Sequence, residues 1–402
     1  MAGVLVLSAC GSTGTGAAGA SSAAAQSSSS PAADAAKGAP VKIVTLEDLG
    51  TQTGADQVAG LKIGIAAVNA AGGINGRPIV QVSCTDNNNV NAATSCLRSA
   101  IADSSVVALV GTGTTFGASI DPMLTAARMA SVGNGLLTSA DFTCQVCFAN
   151  TTGALTVLGQ ATIAVSVLHA KAIGVPYIGV PVGAGLPPLI TSLIRPLGAK
   201  VVGAIGIPPT ASDLTPQAAA EGAAKPDAVM VALTTDLAVK FMHAYRSQGF
   251  NTPALMSNGL VDENELSTVL AGANNNLYLV SDFNHGVPAY QTFLSDAQKY
   301  GSGYPYHTEQ VLRAYVAVKE FAFAAARAKD VTRSGILEAM NSLSSYDAGG
   351  LIEPPIDYTK PQTEGGGHFP RAFQVHLFLY KFEGGKQVPM NNGRQIDVFT
   401  GK

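Results

Sequence analysis

Gly60-Leu61-Lys62-Ile63-Gly64-Ile65-Ala66-Ala67-Val68-Asn69-Ala70-Ala71-Gly72-Gly73-Ile74-Asn75-Gly76-Arg77-Pro78-Ile79 is the stretch on which the reading of this sequence turns. It begins inside an apolar helix predicted over Ala55–Ala71. Gly72 and Gly73 stop that helix, because glycine enters left-handed backbone at no steric cost. Gly76 then allows a tight turn into a strand at Pro78–Cys84. With a strand at Val41–Leu46 before it, this is a strand–helix–strand unit.

The alternation continues outward. Val90–Ala102 reads as a helix, Val106–Val110 as a strand, Ser119–Ala127 as a helix and Ala130–Val132 as a short strand. The pattern then restarts. Helices at Ala154–Ala170, Pro187–Leu197, Pro216–Ala223 and Leu237–Gln248 alternate with strands at Tyr177–Val180, Lys200–Ile207, Asp227–Leu233, Ala254–Met256 and Leu277–Val280. Apolar strands between amphipathic helices predict parallel sheets covered on both faces. Two consecutive doubly wound units predict a two-domain α/β protein. Helices at Glu309–Ala328 and Arg333–Leu343 follow, then a hairpin of Phe373–Phe382 and Gln387–Met390 around Glu383-Gly384-Gly385. Glu364–His368, with three consecutive glycines, reads as a turn or hinge-like loop.

A length of 402 residues is comfortable for two domains, each with its own core. A formal net charge of −3, with 13% charged residues, argues against nucleic acid as a partner. The chain has no Trp and few aromatic platforms for stacking bases. No apolar run approaches the roughly 18–20 residues that span a bilayer. The apolar residues Met1 to Ala9, ending in Leu7-Ser8-Ala9-Cys10, resemble a bacterial lipoprotein signal with its lipobox. The resemblance implies that Cys10 becomes a lipidated N-terminus. The run departs from that pattern in lacking a preceding Lys or Arg, and a plain apolar terminus is the other reading. Gly11–Pro40 is Gly, Ser, Ala and Thr with a single Asp34 and a single Lys37, which predicts a flexible tether. One lipid and a tether would hold the folded part just outside a membrane.

Setting Cys10 apart leaves an even number of cysteines, as suits an oxidising compartment. Cys84 ends a predicted strand and Cys96 lies on the next helix, so a Cys84–Cys96 bridge is expected. Cys144 and Cys147 form a C-x-x-C that is expected to pair with itself. A four-thiolate zinc site and a redox motif are the rivals. His169, His243, His285, His307, His368 and His376 are scattered without paired-ligand spacing, so neither a metal nor a cofactor is expected.

The helix ending in Asn69, followed by Ala71-Gly72-Gly73-Ile74 and a second glycine before the next strand, resembles bacterial solute-binding proteins of branched-chain amino acid ABC importers. The resemblance runs from about Val41 to about Tyr380. It implies two lobes joined by three crossovers and closing on a ligand. Lobe one would be 41–150 plus 282–371, and lobe two 151–281 plus 372–402. It also implies partners: a small-molecule ligand, permease subunits with cytoplasmic ATPases, and no second copy of the chain.

Members of that family hold a ligand carboxylate with two loops of the first lobe. The matching segments are Gly111-Thr112-Gly113-Thr114-Thr115-Phe116-Gly117 and Gly135-Leu136-Leu137-Thr138-Ser139. By position Thr114 and Thr115 supply the first element, and the Leu137 backbone with Thr138 and Ser139 the second. Small residues let backbone N–H groups approach an anion, and hydroxyls donate to it. A dinucleotide fingerprint fails on context, because the glycines follow the third strand rather than the first.

In the second lobe, amino-acid binders place a Glu after a late strand to pair the ligand ammonium. Here Asn258 stands in that place, and Val182-Gly183-Ala184-Gly185-Leu186 replaces a usual Tyr. Glu47 or Asp48 would substitute for the acid, or the ligand lacks an ammonium. Thr234, opening the helix that continues with Thr235 and Asp236, either reaches the cleft or only caps the helix. No catalytic set is present in the motifs: there is no nucleophile elbow and no phosphate loop ending in Lys. A ligand-sensing receptor of the same fold, sensing an amide or aromatic acid without import, is the alternative.

Overall fold

The computed structural model describes residues 36–47, 51–180, 183–257, 263–304 and 308–402. Cys10, Asp48 and Asn258 lie outside the described residues.

The first strand, β1 (Val41–Glu47), leads to α1 (Gln52–Ala70). The helix starts at Gln52 rather than Ala55, because the Thr51 hydroxyl accepts the Gly54 N–H at 3.1 Å and caps it. It stops as the glycines predict, with Gly72, Gly73 and Gly76 at φ +102°, +66° and +82°. Asn69 then ties the helix end to β2 (Ile79–Thr85), accepting the Ile79 N–H at 2.7 Å and donating to its carbonyl at 3.0 Å.

After β2 come α2 (Val90–Ala102), β3 (Val106–Val110), α3 (Gly117–Ala127), β4 (Ala130–Val132) and the two-residue β5 (Cys147–Phe148). These strands form an all-parallel sheet in the order β2-β1-β3-β4-β5. The chain then crosses to α4 (Leu155–Ser166), β6 (Ala172–Ile178), α5 (Leu186–Ile194), β7 (Lys200–Ile207), α6 (Thr215–Ala223), β8 (Ala228–Met230), α7 (Thr235–Ser247), β9 (Ala254–Ser257), α8 (Glu263–Val269) and β10 (Leu277–Ser281). It crosses back to α9 (Pro288–Tyr300), α10 (Glu309–Ala325) and α11 (Arg333–Asn341), which pack on α1 and the first sheet. It crosses a third time to β11 (His376–Glu383), β12 (Lys386–Pro389) and β13 (Ile396–Asp397). The second sheet runs β12-β11-β10-β9-β8-β6-β7, parallel from β10 to β7, with β11 antiparallel against β10, β12 and β13.

Each sheet has its own apolar core. One unites residues of β1–β5 and α1–α3 with Phe283, Phe293, Phe321 and Tyr358 from the later segment. The others combine α4–β10 with Leu377, Leu379 and Val398. The protein is therefore a two-lobed α/β fold with parallel sheets, as the alternation predicted.

Several element boundaries differ from the prediction. The helix expected to reach Ala170 ends at Ser166, and the next strand is Ala172–Ile178 rather than Tyr177–Val180. Gly174 and Pro176 disguise this strand, since neither favours sheet. The helix α9 was not read at all, although Pro288 marks its first turn. The triple glycine forms one 3₁₀ turn at Gly365–Gly367. Both cysteine pairs stand at bonding distance, 2.07 Å for Cys84–Cys96 and 1.99 Å for Cys144–Cys147.

Candidate ligand-binding site

The first two crossovers leave the C-terminal ends of β5 and β10, and doubly wound sheets place their ligands outside such strand ends. Beyond the end of β4, the Gly133 carbonyl accepts from Arg313 of α10 at 3.3 Å. Just past the end of β10, Asp282 accepts the Thr152 N–H of the first crossover at 2.6 Å. Gln57 of α1 ties β1 to the loop after β3, donating to the Leu46 carbonyl at 3.0 Å and the Gly111 carbonyl at 2.8 Å.

Of the first predicted element, Thr114 is buried and Thr115 is exposed. The Thr114 hydroxyl accepts the Phe116 N–H at 3.2 Å and donates to Asp86 at 3.3 Å, so it shapes the start of α3 from its own loop. The second element is already engaged. The Leu137 and Thr138 N–H groups donate to one oxygen of Asp141 at 2.9 and 2.6 Å, and the Thr138 hydroxyl donates to the same oxygen at 3.0 Å. The donors that the sequence assigned to a ligand carboxylate thus hold the chain's own carboxylate. Ser139 is exposed, and the Leu137 side chain is 46% exposed.

Asp141 in turn faces Asp121 of α3. Burial, and then the Asp141 charge, pushes Asp121 up to about 7, and burial raises Asp141 as well. Asp121 also lies beside Cys144 and Cys147, but their sulfurs are joined to each other and offer no thiolate to a metal.

Glu47 is buried at the end of β1, where Thr45 and Gln81 donate to it at 2.7 and 2.6 Å. Burial raises its pKa, and these hydrogen bonds turn its carboxylate toward β2. Thr234 is exposed and stands at the N-cap of α7 without a capping hydrogen bond from its side chain.

The residues that sequence reasoning missed come from the crossovers and from α10. Arg313 is buried, with Nε donating to Gln310 at 3.2 Å. Burial lowers its pKa to about 10 and the nearby Asp282 opposes that, so it stays charged at neutral pH. Burial pushes Asp282 up to about 7. Glu309, one turn before Arg313, accepts from the Ser281 hydroxyl at 2.5 Å, the Asp282 N–H at 2.9 Å and His285 at 3.2 Å. The His285 ring stacks between Tyr290 of α9 and Tyr380 of β11, at 4.4 and 4.9 Å. A polar core therefore occupies the crossovers, where a hinge between lobes would bend. Its signal in the sequence is the charge of Glu309 and Arg313, which with Glu320 are buried on the largely apolar helix α10.

A family profile described as periplasmic binding protein matches residues 40–373, which is most of the chain. The chain belongs to the periplasmic binding protein family. No curated protein sequence matches it. Among solved structures, this periplasmic binding protein is similar to a substrate-binding periplasmic protein from Ralstonia solanacearum. Identity is 20% and the TM-score 0.73, covering 87% of this chain and 100% of that one. It is also similar to a fatty acid ABC transporter substrate-binding protein from Thermomonospora curvata, at 19% identity and a TM-score of 0.72, covering 89% and 92%. LivJ of Streptococcus pneumoniae, a branched-chain amino acid transporter substrate-binding protein in complex with isoleucine, matches at 18% identity and a TM-score of 0.68, covering 87% and 99%. At these identities the likeness establishes the two-lobed fold.

Proposed function

We propose that this chain is an extracytoplasmic solute-binding lipoprotein of an ABC importer, which takes a small organic carboxylate-type or amino-acid-like solute between its lobes and delivers it to permease subunits. The observation that supports this reading is that the first two crossovers leave the C-terminal ends of β5 and β10 and are tied together by the Thr152 N–H donating to Asp282 at 2.6 Å. The lobes are 41–150 with 282–371 and 151–281 with 372–402, and the three crossovers between them are the hinge. Binding energy closes the lobes, and the closed form is what a permease recognises. A lipid on Cys10 and a tether would keep the monomer at the outer face of the cytoplasmic membrane, the tether ending short of the expected Pro40 because Ala36 is buried and the Gly38 N–H donates to the Gly76 carbonyl at 2.7 Å. The reading assigns the chain no reaction.

The solute class follows from charge. The ligands named for the two transporter neighbours, a fatty acid and isoleucine, share a carboxylate and differ in the ammonium. Here Asn258 stands where an acid would pair that ammonium, and Glu47 is committed to Thr45 and Gln81, which leaves Asp48 as the one substitute named from the sequence. A buried ammonium without a counter-charge costs several kcal/mol. The reading therefore favours an acid that lacks an ammonium.

A thermal-shift screen tests this, because a ligand of the folded state raises its apparent stability. Simple aliphatic and aromatic acids are expected to raise the melting temperature more than leucine, isoleucine or valine. Stabilisation by those amino acids alone reverses the ammonium argument, and no stabilisation by any small solute removes the import reading. Within the site, Thr114→Val removes the bonds that hold its loop to Asp86 and Phe116 and is expected to weaken the best acid by about 1–3 kcal/mol in titration calorimetry. An unchanged affinity would take Thr114 out of the site.

A further inference from the structure

The first lobe carries a cation that the loops leave half used. Arg313 is buried with Asp282 nearby, but among the described residues no carboxylate lies within 4.0 Å of it. Its Nε and Nη1 are occupied by Gln310 and the Gly133 carbonyl, while Nη2 makes no hydrogen bond among the described residues. Charged groups are seldom buried without partners, because desolvation of a guanidinium is expensive.

The loops around it are cut back to expose that edge. A Cβ at Gly113 would stand 3.0 Å from Nη2. A Cβ at Gly135 would meet Nη1 at 3.5 Å, with the Gly113 Cα and the Leu137 side chain both at 3.6 Å. The space over Gly135 is thus a niche with a guanidinium at its base and an exposed leucine at its rim. The same two loops hold buried side-chain oxygens with no partner among the described residues, Thr112 Oγ1 beside Gly113 and Asn134 Oδ1 between Gly133 and Gly135. Of the two, the Thr112 hydroxyl has a proton to give a ligand oxygen, whereas Asn134 Oδ1 only accepts.

We propose that the Arg313 guanidinium, rather than the Leu137–Thr138 loop, takes the solute's carboxylate, with Gly113 and Gly135 keeping its edge open and Leu137 contacting the solute's apolar part. This deepens the solute-binding reading and rests on it. A guanidinium offers parallel N–H donors that match the two oxygens of a carboxylate, and it stays charged where an ammonium would lose its proton. The Leu137 and Thr138 donors are unavailable because Asp141 occupies them. Selectivity then comes from charge: an amide of the same shape leaves the guanidinium unpaired.

Matched acids and amides test the assignment: hexanoate with hexanamide, and 3-phenylpropanoate with 3-phenylpropanamide, titrated into the whole protein. The expected result is that the wild type binds the acid of the better pair at least about tenfold more tightly than its amide. Arg313→Gln brings that ratio close to one, and Arg313→Lys leaves it intermediate. Gly113→Ala, which sets a methyl against Nη2, weakens the acid several-fold and spares the amide. Circular dichroism of the unliganded variants reports folding, and if Arg313→Gln does not fold, the other two variants carry the test. The acid-to-amide ratio would not move if Arg313 only braced the Gly133 loop. An unchanged ratio in the variants overturns the Arg313 assignment alone, as does wild-type preference for amides. No binding of either class, or of any other small solute, overturns the solute-binding reading with it.

Discussion

Gly60→Ala is expected to destabilise the protein by about 3 kcal/mol, although the same change in an exposed helix would stabilise it by about 1 kcal/mol. The sign is set by the approach of two helices. A Cβ at Gly60 would sit 2.2 Å from the Val311 carbonyl oxygen and 2.8 Å from the Ala314 methyl. The first of these is backbone of α10, which cannot swing aside as a side chain would. One turn on, a Cβ at Gly64 would meet Val318 at 2.9 Å, so the pair of glycines forms the seam along which α1 and α10 pack. Chemical denaturation reads the difference directly, and a Gly60→Ala protein as stable as the parent would show that the helices can part without cost. The effect reaches the site, because α10 carries Arg313 and α1 carries Gln57.

Glu221→Gln is expected to change sign in its favour as pH rises. Glu221 of α6 is fully buried, and its carboxylate lies over two adjacent strands. A Cβ at Gly174 would be 2.1 Å from it and one at Gly203 2.2 Å, so both glycines make room for this group. Neither carboxylate oxygen has a hydrogen-bond partner among the described residues. Burial pushes the pKa from its ordinary 4.5 up to about 7, and the Val175 N–H opposes this without closing a full hydrogen bond. The folded state therefore holds a proton that the unfolded state releases between these values. Stability from this group is complete below 4.5 and is lost as pH climbs to about 7. The loss amounts to about 3 kcal/mol, and glutamine, which never ionises, escapes it. Denaturation of both proteins at about pH 5 and about pH 8.5 checks this: the variant should gain on the parent by about that amount. A difference independent of pH would mean that Glu221 is charged throughout.

The same pair of residues shows why part of the fold was hard to read. Gly174 and Pro176 make Ala172–Ile178 look unlike a strand. Gly174 is there to admit Glu221, which comes from a helix well downstream in the chain, and no local pattern announces such a neighbour. Helix α9 is different, since Pro288 at its first turn is a local signal in the sequence. Within the site, the loops Gly111–Gly117 and Gly135–Ser139 were found by motif, but their state was not. Asp141 lies only a few residues beyond Thr138, and its capture of the Leu137 and Thr138 N–H groups depends on a loop conformation that hydrophobic periodicity does not specify.

What this sequence determines by itself is local. Glycine at positive φ stops α1 and turns the chain into β2. Alternating apolar strands and helices produce the doubly wound lobes, and cysteines close in sequence meet in pairs. Each of these depends on neighbours within about one turn or one connection, where short-range sterics dominate. Only the tertiary structure decides that the chain crosses between lobes three times. It alone brings Arg313 beneath Gly113 and Gly135, and places Asp282 and Glu309 together at the crossovers. Those contacts join segments far apart in the chain, so no short-range pattern in the sequence specifies them.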